Sequence, residues 1–185
     1  MAALTVAAVA VLSGSAPARA EDIILAGPHP FLKANALSAQ FLLSAGFGDT
    51  FRGRGAALGY GYMLDGPLWL DLQMNVRASA CDPVSACTVP DGSDVQLLVG
   101  ASWRFRTAVP LVPYLRGAAG PIFVYPRAGE NTMGLAARLG AGARYYVYDW
   151  LGFGMEAALS VAHDYVRIDT YPVFDLAVGV EWQFR

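Results

Sequence analysis

This chain is poor in lysine, histidine and cysteine, and it has no long hydrophobic run. Lys33 is its one lysine, beside twelve arginines. Soluble surfaces usually mix lysine with glutamate, and this sequence cannot build such a surface. Arginine is the cation of fixed, desolvated pairs, because its planar fork grips a carboxylate at two points. No stretch of about 18 apolar residues occurs, which argues against a transmembrane helix. Yet 55% of the residues are hydrophobic, so that hydrophobicity is spread over many short segments. His29 and His163 are both remote in sequence from Cys81 and Cys87, and a structural metal needs more ligands together than this. The net charge of −2 is too near neutral to suggest nucleic acid as a partner. The length of 185 residues suits one domain.

What the chain does have is alternation. In residues 68–79, Leu68, Leu70, Leu72, Met74, Val76 and Ala78 fall on one side. Trp69, Asp71, Gln73, Asn75, Arg77 and Ser79 fall on the other. Strand side chains alternate faces, so this is a two-faced β-strand. Eight such segments are expected, at about 36–47, 55–64, 68–79, 94–106, 113–125, 134–147, 151–162 and 173–184. Each has roughly the ten residues that a tilted strand needs to cross a bilayer. Segment 113–125 is the least regular, because Pro121 cannot donate a ladder hydrogen bond. The connections after the odd strands, at 48–54, 80–93, 126–132 and 163–172, read as loops. Those after strands two and six read as tight turns, one of them Asp65-Gly66-Pro67.

Residues 1–20 stand apart. Leu4–Leu12 is a short apolar core, and Ala18-Arg19-Ala20 fits a small-x-small cleavage site. The expected organisation is a signal peptide over 1–20, cut after Ala20, a periplasmic lead-in over 21–35 and a barrel over 36–185. Cleavage removes Arg19 and no acid, leaving a net charge of −3. In an exported chain, Cys81 and Cys87 are expected to close a small loop disulfide.

Alternation alone fits two opposite objects. A lipocalin-like soluble barrel points its apolar face inward, whereas a membrane barrel turns it to lipid. Three features favour the membrane. The polar face is rich in Gly, Ala and Ser, which suit a narrow interior that side chains must fill. Its charges nearly balance, with Asp71, Asp94, Glu156, Asp175 and Glu181 against Arg77, Arg104, Arg106, Arg116, Arg138 and Arg144. An enclosed charge without a partner costs several kcal/mol, so such a set should be paired. Aromatics also gather near both segment ends. Trp103, Phe105, Tyr145, Trp182 and Phe184 lie toward the short turns, and Phe47, Phe123, Tyr125 and Phe174 toward the loops. Aromatic girdles mark the two interfaces of a membrane barrel. The fold expected is an all-β, eight-stranded antiparallel up-and-down transmembrane barrel.

Over roughly residues 36–184 the chain resembles the small OmpA/OmpX-type outer-membrane β-barrels of Gram-negative bacteria. The resemblance rests on strand pattern, signal peptide and C-terminal strand. The ending from Gly179 to Phe184 is similar to the signal read by the barrel-assembly machinery in that family, a Gly followed by two spaced aromatics, here Gly179, Trp182 and Phe184. The chain departs from the family pattern in having Arg185 after the terminal Phe184, and Ala177 where a polar residue is usual. The resemblance implies outer-membrane lipid and the assembly machinery as partners. Some barrels of this size modify lipid A, and a deacylase among them uses a His-x-Ser pair. Neither His29 nor His163 has a Ser two residues on.

Other chemistry is sparse. Ser160, His163 and Asp164 are neighbours in sequence, but strand parity turns Ser160 and His163 to opposite faces. Asp82, Asp91 and Asp94 could at most bind calcium weakly, and no phosphate-binding glycine motif is present. No cofactor and no catalytic or metal site is expected. With odd strands running up, Asp71, Arg104, Arg116, Arg144, Glu156 and Glu181 should occupy the lower and middle lumen. Arg77, Asp94, Arg138 and Asp175 should lie above them. The expectation is two layers of ion pairs that plug the barrel, and a structural or loop-displaying role. The alternatives are a narrow pore for ions or small solutes, an enzyme acting on lipid, or a soluble lipocalin-like binder.

Overall fold

The computed structural model describes residues 32–46, 52–80, 92–165 and 169–185. Residues 1–20, expected to be a signal peptide, and both cysteines lie outside the described residues. Eight strands follow one another: β1 (Asn35–Gly46), β2 (Arg52–Asp65), β3 (Leu68–Ala80), β4 (Gly92–Arg104), β5 (Leu111–Pro126), β6 (Thr132–Tyr148), β7 (Leu151–Asp164) and β8 (Asp169–Phe184). Each pairs antiparallel with the next, and β1 pairs with β8 to close the barrel. Closure leaves no free edge, and every strand can satisfy its backbone in the ladder.

The period-2 pattern decides the faces. Leu139 is 69% exposed on the outside of β6, while Asp175 on β8 is 0% exposed inside. Leu70, Leu72, Met74 and Val76 of β3 are exposed, and Asp71, Gln73, Asn75 and Arg77 between them are buried. An apolar exterior around a charged interior is the arrangement that lipid demands and water penalises. The barrel is transmembrane.

Several strand limits differ from the sequence reading. β2 begins at Arg52, inside the segment expected to be loop up to residue 54. The expected 163–172 loop is mostly strand, because β7 runs to Asp164 and β8 starts at Asp169. Pairing with the neighbour extends these ends, with His163 opposite Thr170 and Val161 opposite Pro172. Polar and proline residues read locally as loop, but an antiparallel partner already in register carries them on. β4 ends at Arg104, so Phe105 and Arg106 belong to the following turn. The irregularity at Pro121 is confined. The β4–β5 ladder skips from Gln96–Ile122 to Val99–Ala119, whereas Pro121 still pairs with Leu135 of β6. At the tight β2–β3 turn Gly66 has φ +53°, a conformation that a Cβ would strain.

Candidate functional site

The lumen holds the chemistry. Arg77 of β3 stands directly across the ladder from Asp94 of β4. Its Nη2 and Nε donate to Asp94 Oδ1 at 3.0 and 3.1 Å, and its Nη1 reaches Asp175 Oδ1 at 3.3 Å. Asp175 accepts the hydroxyls of Ser44 at 2.5 Å and Ser160 at 2.9 Å, and it pairs with Arg138. Arg138 donates from Nη2 to Glu156 Oε1 at 3.0 Å. Glu156 accepts the Tyr114 hydroxyl at 2.9 Å and lies 3.2 Å from Arg116 Nη1. Arg116 extends the chain to Asp71 at 3.5 Å and donates to Gln73 Oε1 at 3.2 Å.

A second group sits nearer the short turns. Glu181 lies between Arg104, 3.0 Å away, and Arg144. It also accepts the Tyr146 hydroxyl at 2.5 Å and Gln183 Nε2 at 3.0 Å. The Arg104 guanidinium stacks 3.6 Å over the Trp69 ring, and that of Arg144 lies 4.5 Å from the Tyr114 ring centre. Such cation–π contacts are strongest where water is excluded.

All ten lumen residues singled out in the sequence face inward and are buried. Their connectivity differs from two stacked layers. Asp94, Arg77, Asp175, Arg138, Glu156, Arg116 and Asp71 form one continuous chain along the barrel. Arg104, Glu181 and Arg144 form a separate triad. The chain carries one surplus acid and the triad one surplus base, so together they are neutral. Tyr114 touches both groups, bonding Glu156 and facing Arg144. Arg106, counted with the polar face in the sequence, instead lies at the short-turn end beside Gly66, where a Cβ would meet its Nη2 at 3.4 Å.

Glu156 is the branch point, and it fits because β6 offers no side chain beneath it. A Cβ on Gly140 would lie 2.9 Å from Glu156 Oε1. Sequence reasoning did not assign Tyr114, Tyr146, Ser44 or Gln183 to the network. The available signal was parity, since Tyr114 and Tyr146 stand two residues from Arg116 and Arg144 on the same face.

The interior is not polar throughout, which corrects the expectation of a paired polar lumen. Toward the loops, Leu98, Ile122, Val124, Ala136, Ala162, Tyr171 and Val173 form a buried apolar cluster. At the short-turn end Leu32 packs inside against Ala36, Trp69, Val112 and Tyr146. Lys33 fixes this stopper, its backbone N–H donating to Gln183 Oε1 at 2.8 Å and its ammonium lying 3.0 Å from Asp149. The lead-in expected over 21–35 therefore ends within the barrel mouth. A closed barrel must fill its axis, and an apolar plug does so without needing a charge partner. The gap among Ser38, Asp71, Arg104, Arg116, Arg144 and Glu181 does not admit a water-sized sphere. Among the described residues no cluster of His, Cys, Asp and Glu could hold a metal.

The remaining singled-out residues lie on β8. A Cβ on Gly179 would collide with the β1 backbone at Ala39 and Gln40, so β1 and β8 close tightly there. Trp182 and Phe184 point outward and are exposed near the short-turn rim.

The sequence matches no protein-family model and no curated protein. The fold does have solved counterparts. Neisserial surface protein A is 14% identical and superposes with a TM-score of 0.65, over 81% of this chain and 96% of that one. The N-terminal β-barrel domain of OprF from Pseudomonas aeruginosa is 19% identical, with a TM-score of 0.50 over 81% of this chain and 98% of that one. The fold of this chain is that of the OmpA/OmpX-type eight-stranded outer-membrane barrels. At these identities the likeness is one of fold.

Proposed function

We propose that the protein is an integral outer-membrane barrel with a structural or loop-displaying role and a lumen closed to steady flow. The observation that carries this reading is the filled axis. A neutral ion-pair network occupies the middle, and apolar clusters flank it toward both ends. Outer-membrane residence draws support from the apolar exterior, the fold shared with a neisserial surface protein, and the export signal read in residues 1–20. In this reading the assembly machinery recognises Gly179, Trp182 and Phe184, and a Cys81–Cys87 disulfide pins the loop between β3 and β4. An enzymatic role has little to work with. The Ser160 hydroxyl is committed to Asp175, and His163 Nδ1 lies 2.8 Å from Thr170 Oγ1.

Two measurements test the proposal. In isolated outer membranes, unboiled protein should run at a shifted position on a detergent gel. An unshifted band in the soluble periplasmic fraction would overturn the membrane assignment. In a planar bilayer the reconstituted barrel should pass no steady current, and discrete open levels would favour the narrow-pore reading.

A further inference from the structure

The lipid-facing surface carries one anomaly. Among the outward-facing strand residues whose side chains are described, Arg54 of β2 is the single guanidinium. It stands between Leu43 of β1 and Ala78 of β3. The small residues Gly53, Ala78, Ser79 and Ala80 leave a groove of about 370 Å³ here, with Arg54 and Arg127 both lining it. Arg127 follows β5 at the loop end, so the two cations reach the same place from elements with two strands, β3 and β4, between them. A second groove of about 460 Å³ lies lower on the same face, with Leu58, Leu72, Met74, Leu97, Val99 and Pro121 among its walls. Along β2 and β3 only the outward pair Ala56 and Val76 separates the two grooves.

We infer that this face binds a phosphate-bearing membrane lipid at the loop-side interface. Arg54 and Arg127 hold the phosphate, and an acyl chain runs past Ala56 into the lower groove. Three physical points support the assignment. Arginine forks bind phosphate oxygens at two points. Side chains of this kind direct their charge to headgroup level. The lower groove is almost wholly apolar and is cut where Pro121 interrupts the β4–β5 ladder, which suits a hydrocarbon chain and not a hydrated anion. The inference rests on the membrane reading above. Heat-modifiable migration tests that reading and lipid retention tests this one, so each can fail alone.

The test reconstitutes the full barrel in vesicles of phosphatidylcholine and phosphatidic acid, extracts it in detergent and counts retained lipids by native mass spectrometry. Phosphatidic acid should be retained about tenfold over phosphatidylcholine, the ratio set by about 1.4 kcal/mol. Arg54→Ala with Arg127→Ala should abolish that preference. Ala56→Leu, which keeps both charges and faces lipid, should lower retention by narrowing the path between the grooves. Heat-modifiable migration of each variant shows that it has folded. Equal retention of both lipids by the unaltered barrel would overturn the inference. So would displacement by millimolar inorganic phosphate, which would mean a free-anion site, or an Ala56→Leu barrel that binds normally.

Discussion

Replacing Glu156 by glutamine keeps the volume of the branch point and removes its charge. The carboxylate now serves Arg138 at 3.0 Å, Arg116 at 3.2 Å and the Tyr114 hydroxyl at 2.9 Å. Breaking a buried pair from one side costs about 3–5 kcal/mol, because the other charge stays buried and uncompensated. Here each arginine keeps a second acid, Arg138 through Asp175 and Arg116 through Asp71. The expected loss is therefore about 3 kcal/mol, the lower end of that range. The glutamine amide also presents donors to guanidinium groups that can only donate. The assay is urea unfolding of the reconstituted barrel, followed by its gel mobility shift. With an unchanged slope of about 1–3 kcal/mol per molar, the midpoint should fall by roughly 1–3 M. The bilayer current should stay at zero, since the apolar clusters at either end are untouched. An unchanged midpoint together with new conductance would refute the reasoning, because the network would then be gating a path and not holding the fold.

Other consequences follow from the same geometry. Leu32→Ala empties the stopper against Trp69, Val112 and Tyr146; it should cost about 2 kcal/mol in the same unfolding assay. Gly140→Ala sets a methyl 2.9 Å from Glu156 Oε1 and should destabilise by about 1–3 kcal/mol. Gly117→Ala points outward, meeting only Leu139 Cδ2 at 3.3 Å, and should stay within about 0.5 kcal/mol of the parent. Phe184→Ala should reduce the folded fraction in cell membranes while the purified chain still refolds into lipid with a normal mobility shift. If Cys81 and Cys87 are paired, neither will take up an alkylating agent until a reductant is added, as intact mass would show.

How much of this was legible in the chain differs from place to place. The faces were. Leu70 and Asp71 part company because a strand turns successive side chains to opposite sides, and that is a local property. The location of β3 and its turn at Gly66 was legible for the same reason. The ends of β2 and β8 were not. Arg52–Arg54 and Asp169–Pro172 read as loop by composition and become strand only because a neighbour is in register beside them.

The sequence alone determined that this chain forms alternating strands with an apolar side and a nearly balanced set of charges on the other. Parity and spacing are local, and charge can be counted without a fold. Only the tertiary structure decided which acid meets which arginine. It excluded Arg106, joined Glu156 to both Arg116 and Arg138, and set Glu181 between Arg104 and Arg144. It also brought Leu32 into the mouth and gathered Ile122, Val124 and Tyr171 inside. These are contacts across a closed ring. Its register and curvature are set by all eight strands at once, and no single segment encodes them.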